Sequence, residues 1–325
     1  MIAITGATGF VGRRLYKALA KDFSAESIRV LTRARPAADE FFGGSHVCHG
    51  RLEDRDVTPA LVHDAEVVIH VAAQAQSASY EGADMRQVNV AGTRYLYSAA
   101  VAAGCKLFLH VSSAGVYGPA RGSEPFGEED VARPVTLYQQ TKWEAEEALR
   151  EIDAKRTVLN ILRPAGLYGP GTRVEINGYR RVLSERLSVE LTGDFIGHPT
   201  HVDDLVEAII ALVRRAATHG AVFNIGGERP IRLHDFESLA AEILGVRRRR
   251  LIVPSEVAWP LALIRQNLPL FKAPKPHLAA RSRGSVFSIA VDDRRFRKLY
   301  PGVPVVKLRD GVREHIAWAR QQRLL

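Results

Sequence analysis

Ile2-Ala3-Ile4 opens the chain as a short apolar run, and Thr5-Gly6-Ala7-Thr8-Gly9-Phe10-Val11-Gly12 follows without a break. Arg13-Arg14-Leu15-Tyr16-Lys17-Ala18-Leu19 then spaces its apolar residues as a helix does. A buried-type strand, a glycine-rich turn and a helix, in that order, constrain the fold more than any other feature of the sequence. Glycines allow a sharp reversal and close backbone approach, while a helix N-terminus presents bare N–H groups and positive potential. Together they suit a pyrophosphate. The GxxGxxG spacing makes Gly6, Thr8, Gly9, Phe10, Val11 and Gly12 the candidate cradle for a dinucleotide.

The alternation continues downstream. Strands are expected near residues 2–5, 28–32, 46–49, 66–71, 106–111 and 157–162, with helices between them. That is the pattern of an α/β chain folded as a doubly wound parallel sheet, a Rossmann fold, with ligands at the carboxyl ends of the strands. Val111-Ser112-Ser113-Ala114 ends one of these strands, and Tyr138-Gln139-Gln140-Thr141-Lys142 falls in a predicted helix beyond it. A Tyr and a Lys four apart share one helix face. A free phenol, with a pKa of roughly 10, keeps its proton at neutral pH. A nearby ammonium favours the phenolate, which tunes the Tyr for acid–base work on an alcohol or carbonyl, and a Ser hydroxyl beside it can hold the substrate oxygen.

These segments resemble the extended short-chain dehydrogenase/reductases, the NAD-dependent epimerase/dehydratase-like family, and the resemblance covers nearly the whole chain. Thr5 to Gly12 resembles the family's cofactor loop. Val68-Ile69-His70-Val71-Ala72-Ala73 resembles its fourth strand, whose small residues let the backbone approach the cofactor. Asn89-Val90-Ala91-Gly92-Thr93 resembles the segment with its structural Asn, and Val111-Ser112-Ser113-Ala114-Gly115-Val116-Tyr117-Gly118 the strand end whose catalytic Ser aligns with Ser113. Three later signatures match Leu162-Arg163-Pro164-Ala165-Gly166-Leu167-Tyr168-Gly169-Pro170-Gly171, His201-Val202-Asp203-Asp204 and Phe223-Asn224-Ile225-Gly226-Gly227.

The resemblance implies Ser113, Tyr138 and Lys142 as the catalytic set. It implies Leu52, Ala72, Ala73, Asn89, Pro164 and again Tyr138 and Lys142 as further cofactor contacts. A dinucleotide-binding domain over residues 1–170 with returns near 200–225, and a smaller, discontinuous substrate lobe mainly within 171–325, are implied as well. So is a homodimer built on helices near 90–103 and 137–152.

Composition narrows the function classes. With 325 residues, 46% apolar and 25% charged, the chain can bury a large core and is not of the disordered type. Cys48 and Cys105 supply neither a disulfide framework nor a metal-ligand cluster and read as small core residues, so no metal is expected. A strand beginning at Ile2 leaves no room for a signal peptide, and a cytoplasmic location is expected. The longest apolar stretch, Val257 to Phe271, is broken by Pro260, Arg265, Gln266, Asn267 and Pro269, so no membrane span is expected. The net charge of +9 includes one dense run, Arg247-Arg248-Arg249-Arg250. Without interleaved aromatics or a reading motif it is expected to be a solvated turn, and no nucleic-acid partner is expected.

Charge also bears on the cofactor. NAD-selective sheets usually end the second strand with an acid that accepts bonds from the ribose hydroxyls. Here the strand runs Ile28-Arg29-Val30-Leu31-Thr32-Arg33-Ala34-Arg35, and Arg33 and Arg35 can instead meet a 2′-phosphate. Arg13 and Arg14 add charge at the start of the first helix. A charge-assisted Arg–phosphate contact is worth roughly 1.5–3 kcal/mol, which selects NADP over NAD by tenfold or more. NADP is the expected cofactor, with NAD the alternative. Where the family commonly has Gly-Asp-Leu, this chain has Gly50-Arg51-Leu52; Arg51 can stack on adenine or approach the same phosphate, and both roles stay open.

Relatives in this family include dehydratases, epimerases and simple reductases. The 4,6-dehydratases carry Thr-Asp-Glu at the catalytic strand end, whereas this chain has Ser113-Ala114-Gly115 and lacks the carboxylates for elimination. Two diphosphate anchors of sugar-nucleotide relatives fall on Gly166 and Gly197, leaving Arg281 or Arg283 for any remaining phosphate contact. The stretch from Val253 to Phe271 resembles the apolar C-terminal segment of hydroxysteroid dehydrogenase-like relatives. The expected activity is an NADP-dependent ketoreductase or alcohol dehydrogenase acting on a small or hydrophobic carbonyl or alcohol. A nucleotide-sugar epimerase or 4-ketoreductase is the alternative. From another class comes a cofactor-sensing protein that does no chemistry, against which an intact Ser/Tyr/Lys set argues.

Overall fold

The computed structural model describes residues 1–33, 40–75, 82–119, 124–185, 187–191, 196–215, 220–253 and 289–325. Strands β1 (Ile2–Thr5), β2 (Ile28–Thr32), β3 (His46–His49), β4 (Val67–His70), β5 (Leu107–Val111) and β6 (Val158–Pro164) fall within one or two residues of the expected positions. Four short strands follow: β7 (Leu167–Tyr168), β8 (Leu187–Leu191), β9 (Ile196–Gly197) and β10 (Thr200–His201). The chain then returns to the main sheet with β11 (Ala221–Ile225), whose neighbour is β6. The order across this parallel sheet is β11-β6-β5-β4-β1-β2-β3. Between β1 and β4 the order reverses direction, and ligands of doubly wound sheets bind at such a point.

Both faces are covered, so the strands read as nearly unbroken apolar runs. Ile2 and Ile4 point to one core with Leu15 and Leu19 of α1 (Phe10–Phe23). Ala3 points to the other, among residues of α2 (Val57–Val62) and of two helices that follow a short α3 (Gly82–Arg86). These are α4 (Thr93–Ala102), contributing Leu96 and Tyr97, and α5 (Leu137–Arg150), contributing Leu149. A third core holds Tyr168 with Tyr179 of α6 (Ile176–Ser184). After α7 (Val202–Arg214), that core gains Phe236 of α8 (Leu233–Leu244). Beyond α9 (Arg294–Leu299), it gains Val312 and Ile316 of α10 (Leu308–Gln321). Helix α7 instead joins the first core through Leu205 and Ile209, against the same face as α1.

The arginine run differs from its expectation. β12 (Ile231–Arg232) pairs with β9, and β13 (Arg249–Val253) pairs with β8, so the run leads into a strand. Arg248, its side chain only 7% exposed, donates to the Glu185 carbonyl at 3.1 Å and to the Glu237 carboxylate at 3.4 Å. Part of the run is therefore an internal brace rather than a solvated turn. Cys105 is buried and Cys48 half-buried, both as free thiols. Among the described residues no helix is long and apolar enough to cross a membrane. Arg35, Arg281, Arg283 and the stretch from Val257 to Phe271 lie outside the described residues.

Candidate active site

The glycine turn sits at the reversal point of the sheet. Gly6 adopts a φ of +75°, and a Cβ there would stand 2.5 Å from Ala72 N, so the turns after β1 and β4 touch through bare backbone. A Cβ on Gly12 would strike the Gly6 carbonyl and lie 2.7 Å from Ala7 Cα. No side chain caps the start of α1, and its first turn has no acid, so its N–H groups and dipole are presented to the turn. Thr8 and Gly9 are exposed, Phe10 is half-buried, and Val11 and Gly12 are buried.

Helix α5 begins where Thr136 and Gln139 form a capping box: Thr136 Oγ1 accepts from Gln139 N, and Gln139 Oε1 accepts from Thr136 N. That start puts Tyr138 in the first turn and Lys142 one turn on. Lys142 Nζ donates to the Val111 carbonyl at 2.6 Å, which fastens the helix to the end of β5 just before Ser112 and Ser113. A Cβ on Gly115 would lie 3.0 Å from Gln139 Cγ and 3.1 Å from Ser113 Oγ, so the Ser113 turn packs on the first turn of α5. Ser113 Oγ accepts from Gly115 N at 3.0 Å, which leaves its own proton available to donate. The three expected groups thus come from two elements that meet directly.

Electrostatics corrects one expectation. Burial pushes the Tyr138 phenol up from its usual value, where the shared helix face had led to the expectation of a lowered one. Lys142, 2% exposed, is lowered to about 8 by burial, with the Glu146 charge working the other way. Glu146, one further turn along α5 and fully buried, accepts from Ser112 Oγ at 2.6 Å, from Arg163 at 3.0 and 2.7 Å, and from Arg150 at 2.8 Å. Burial opposes its ionisation, but Arg163, Ser112 and Arg150 outweigh it and hold the carboxyl below the usual range. Arg163 also donates to Tyr117 Oη at 2.9 Å, and Tyr117 donates to Asn224 Oδ1 at 2.8 Å.

A sequence profile of the NAD dependent epimerase/dehydratase family matches residues 2–226. The chain belongs to this family. Among its curated relatives, the 3beta-hydroxysteroid-dehydrogenase/decarboxylase isoform 2 of Arabidopsis thaliana is 26% identical over 96% of this chain and 61% of that protein. The ceramide reductase of Caulobacter vibrioides is 31% identical over 66% of this chain and 61% of its own length. The chain therefore spans less than two thirds of the length of these relatives. Among solved structures, MoeE5 in complex with UDP-glucuronic acid and NAD superposes with a TM-score of 0.75 at 25% identity, covering 99% of each chain. The structure of gox2253 gives 0.79 at 24% identity, over 100% of this chain and 99% of that one, a likeness of fold.

Several family signatures turn out to build the site's frame. Asn89 lies in the π-helical turn Gln87–Gly92 and is 2% exposed. Its amide accepts from Gln74 N at 2.7 Å and donates to Gln74 O and to Thr141 Oγ1, each at 3.0 Å. It pins the Ala72-Ala73-Gln74 turn to α5, so it shapes the wall rather than lining it. His201 and Asp204 cap α7, with the Asp204 carboxylate accepting from His201 N at 2.9 Å and from Val306 N at 2.8 Å. Asp203 and Glu314 both receive Arg14, at 2.6 and 3.0 Å. Arg14 thus braces α1 against α7 and α10 instead of facing a phosphate. Arg13 donates to the Thr8 carbonyl at 3.0 Å and lies over the Phe41 ring.

Arg33 is exposed at the end of β2 and Arg51 is exposed just beyond β3. The strands pair Thr32 with His49, so these two arginines follow adjacent strand ends. Leu52 is 5% exposed in the second core and Pro164 is buried at the end of β6. Glu146, Ser112, Tyr117 and Asn224 were not singled out by sequence. Glu146 continues the four-residue spacing of Tyr138 and Lys142, and that spacing is the signal that could have found it.

One carboxyl of the third core makes a separate prediction. Glu175 is 6% exposed, and among the described residues its Oε1 has no hydrogen-bond partner. Burial pushes it up from 4.5 to about 8, with Arg181 opposing and Glu237 adding to the rise. The fold therefore keeps a proton that the unfolded chain has released, so the associated stability is full below about pH 4.5 and is lost as pH rises toward about 8. Glu175→Gln, which mimics the protonated form, is expected to melt at a higher temperature than the parent above about pH 8 and at nearly the same one near pH 5. Thermal melts across that range check it; equal differences at both ends would refute the titration of Glu175.

Proposed function

We propose that the protein is an NADP-dependent oxidoreductase, a ketoreductase or alcohol dehydrogenase that acts on a small or hydrophobic carbonyl. The observation that carries this reading is the meeting of Tyr138 and Lys142 on α5 with Ser113 at the end of β5, through the bond from Lys142 Nζ to Val111 O. A turn that has no room for a Cβ at Gly6 or Gly12 fits a pyrophosphate, held by Gly6, Thr8, Gly9, Phe10, Val11 and Gly12. Ala72, Ala73 and Pro164 would wall the cofactor. When bound, the dinucleotide supplies the hydride for the carbonyl carbon, or receives it from the alcohol in reverse.

Tyr138 gives its phenolic proton to the carbonyl oxygen and takes it back in the alcohol direction. A phenol held protonated by burial is in the donor form. Ser113 donates its free proton to the same oxygen and orients it. Lys142, fixed on Val111, stabilises the phenolate that Tyr138 becomes and holds the cofactor ribose. Residues 171–325, apart from the returns to the main sheet near 200–225, mainly form a discontinuous substrate lobe, and the assembly is a cytoplasmic homodimer packed through α4 and α5.

Arginines beyond adjacent ends of β2 and β3, with no acid at the end of β2, support NADP over NAD. NADPH is expected to bind at least about tenfold more tightly than NADH, and Arg33→Ala to weaken NADPH by about tenfold or more while sparing NADH. Fluorescence titration measures both. Equal affinities in the parent would overturn the assignment.

The superposition on MoeE5 with its UDP-glucuronic acid and NAD favours a second reading, a nucleotide-sugar epimerase. Gly166 and Gly197 weigh against it, because both engage through backbone and offer no side chain to a diphosphate. Mass spectrometry of the protein as purified, followed by nicotinamide-absorbance assays over a carbonyl panel, separates the two. Exchangeable NADP with turnover of a hydrophobic ketone supports the reductase; retained NAD with a sugar nucleotide supports the epimerase.

A further inference from the structure

Below the reacting groups lies a buried charged cluster for which the reaction has no direct use. Tyr138, Lys142, Glu146 and Arg150 recur every four residues along α5 and form one stripe. Glu146 is the only carboxylate of that stripe, and its oxygens reach three separate elements. It accepts from Ser112 at the end of β5, from Arg163 in β6 and from Arg150 on its own helix. Ser112 N also donates to the Leu162 carbonyl at 2.7 Å, so β5 and β6 stay paired up to this point. Arg163, 3% exposed in its side chain, is held in turn by Tyr117 Oη and by the Glu128 carbonyl.

We propose that Glu146 is a positioning residue whose buried carboxylate clasps the ends of β5 and β6 to α5 and so fixes Lys142 and Ser113 relative to Tyr138. The proposal rests on the oxidoreductase reading for its effect on rate, but not for its effect on Lys142. A carboxylate bonded to Ser112 sets the backbone on both sides of it, including the Val111 carbonyl that receives Lys142 and the Ser113 hydroxyl. It is also the anion that offsets the burial of the lysine charge.

The other groups facing Lys142 do not share that task. His70 of β4 and His110 of β5 are fully buried and stacked 5.3 Å apart. Burial, with Lys142 adding to it, keeps both far below the usual imidazole range, and they stay neutral. His70 is bonded to Thr5 and Thr93 at 2.7 and 2.8 Å. Tyr138 is held protonated, and Arg150 and Arg163 are both paired with Glu146. Among the described residues, Glu146 is therefore the counter-charge of Lys142.

The test follows Lys142 directly. Protein labelled with 13Cε-lysine, its Lys142 signal assigned by loss in Lys142→Met, is titrated by NMR. In the parent Lys142 is expected to titrate near about 8, and in Glu146→Gln lower by about one pH unit or more. In the same variant kcat is expected to fall by about 10- to 100-fold, and the alkaline limb of its pH profile to move down with the NMR titration. Glu146→Asp, which keeps the charge, should restore part of both. A folded Glu146→Gln with Lys142 titrating as in the parent would overturn the proposal, as would an unmoved pH profile.

Should Glu146→Gln fail to fold, Arg150→Gln decides instead, because Arg150 is 40% exposed and its loss is tolerable. Freed of that competing cation, the carboxylate should raise the Lys142 titration, and an unchanged titration would count against the clasp. If the parent turns over no carbonyl, the oxidoreductase reading fails while the Lys142 titrations still decide the role of Glu146.

Discussion

Tyr138→Phe is expected to lower turnover of an accepted carbonyl by about 10²–10⁴-fold, the usual worth of a positioned proton donor. The change removes one oxygen from a half-buried ring and leaves the Thr136–Gln139 cap in place, so the melting temperature should stay close to that of the parent. Lys142→Met withdraws the cation fixed on Val111 and should harm dinucleotide affinity and rate together. Ser113→Ala should act chiefly on rate. Steady-state kinetics beside dinucleotide titration distinguishes the three patterns. Full turnover in a folded Tyr138→Phe would mean that another group delivers the proton.

Arg163→Met carries the largest expected effect on stability, a loss of about 3–5 kcal/mol, because it strands a buried charge. Glu146 is 0% exposed and would keep only Ser112 and Arg150 as partners. The arginine also lies over the rings of Tyr117 and Trp143, at 5.0 and 5.6 Å, so packing is lost along with the ion pair. Chemical denaturation measures the loss. Adding Glu146→Met should recover most of it, since an apolar pair of similar volume has no charge to desolvate. A loss below about 1 kcal/mol in the single variant would show that water reaches Glu146.

Strands of the main sheet were legible because a strand covered on both faces must be largely apolar, as Ile2–Thr5 and Leu107–Val111 are but for Thr5 and His110. The start of α5 was less so, although Thr136 and Gln139 carry the capping-box spacing. The two-residue strands β7, β9 and β10 are too short to show any period. Arg14 read as charge for a phosphate and Arg248 as part of a solvated turn, and only the approach of Asp203, Glu314, Glu185 and Glu237 from distant segments turns them into braces. Glu146 was missed for the same reason: a charged residue on an amphipathic helix reads as solvated until Arg163 is seen beside it.

By itself the sequence determined the order of elements, the glycine turn and the face shared by Tyr138 and Lys142. Each of these follows from local rules, namely the absence of a Cβ, the side-chain period and the helix repeat. Tertiary structure decided which charges are buried together and therefore how Ser113, Tyr138 and Lys142 are set. It places Lys142 against Val111 and Glu146 against Ser112 and Arg163, and burial then raises the Tyr138 phenol where spacing alone led us to expect a lowered one. Desolvation depends on what every neighbouring element brings to a point, and no four-residue spacing along one helix encodes that.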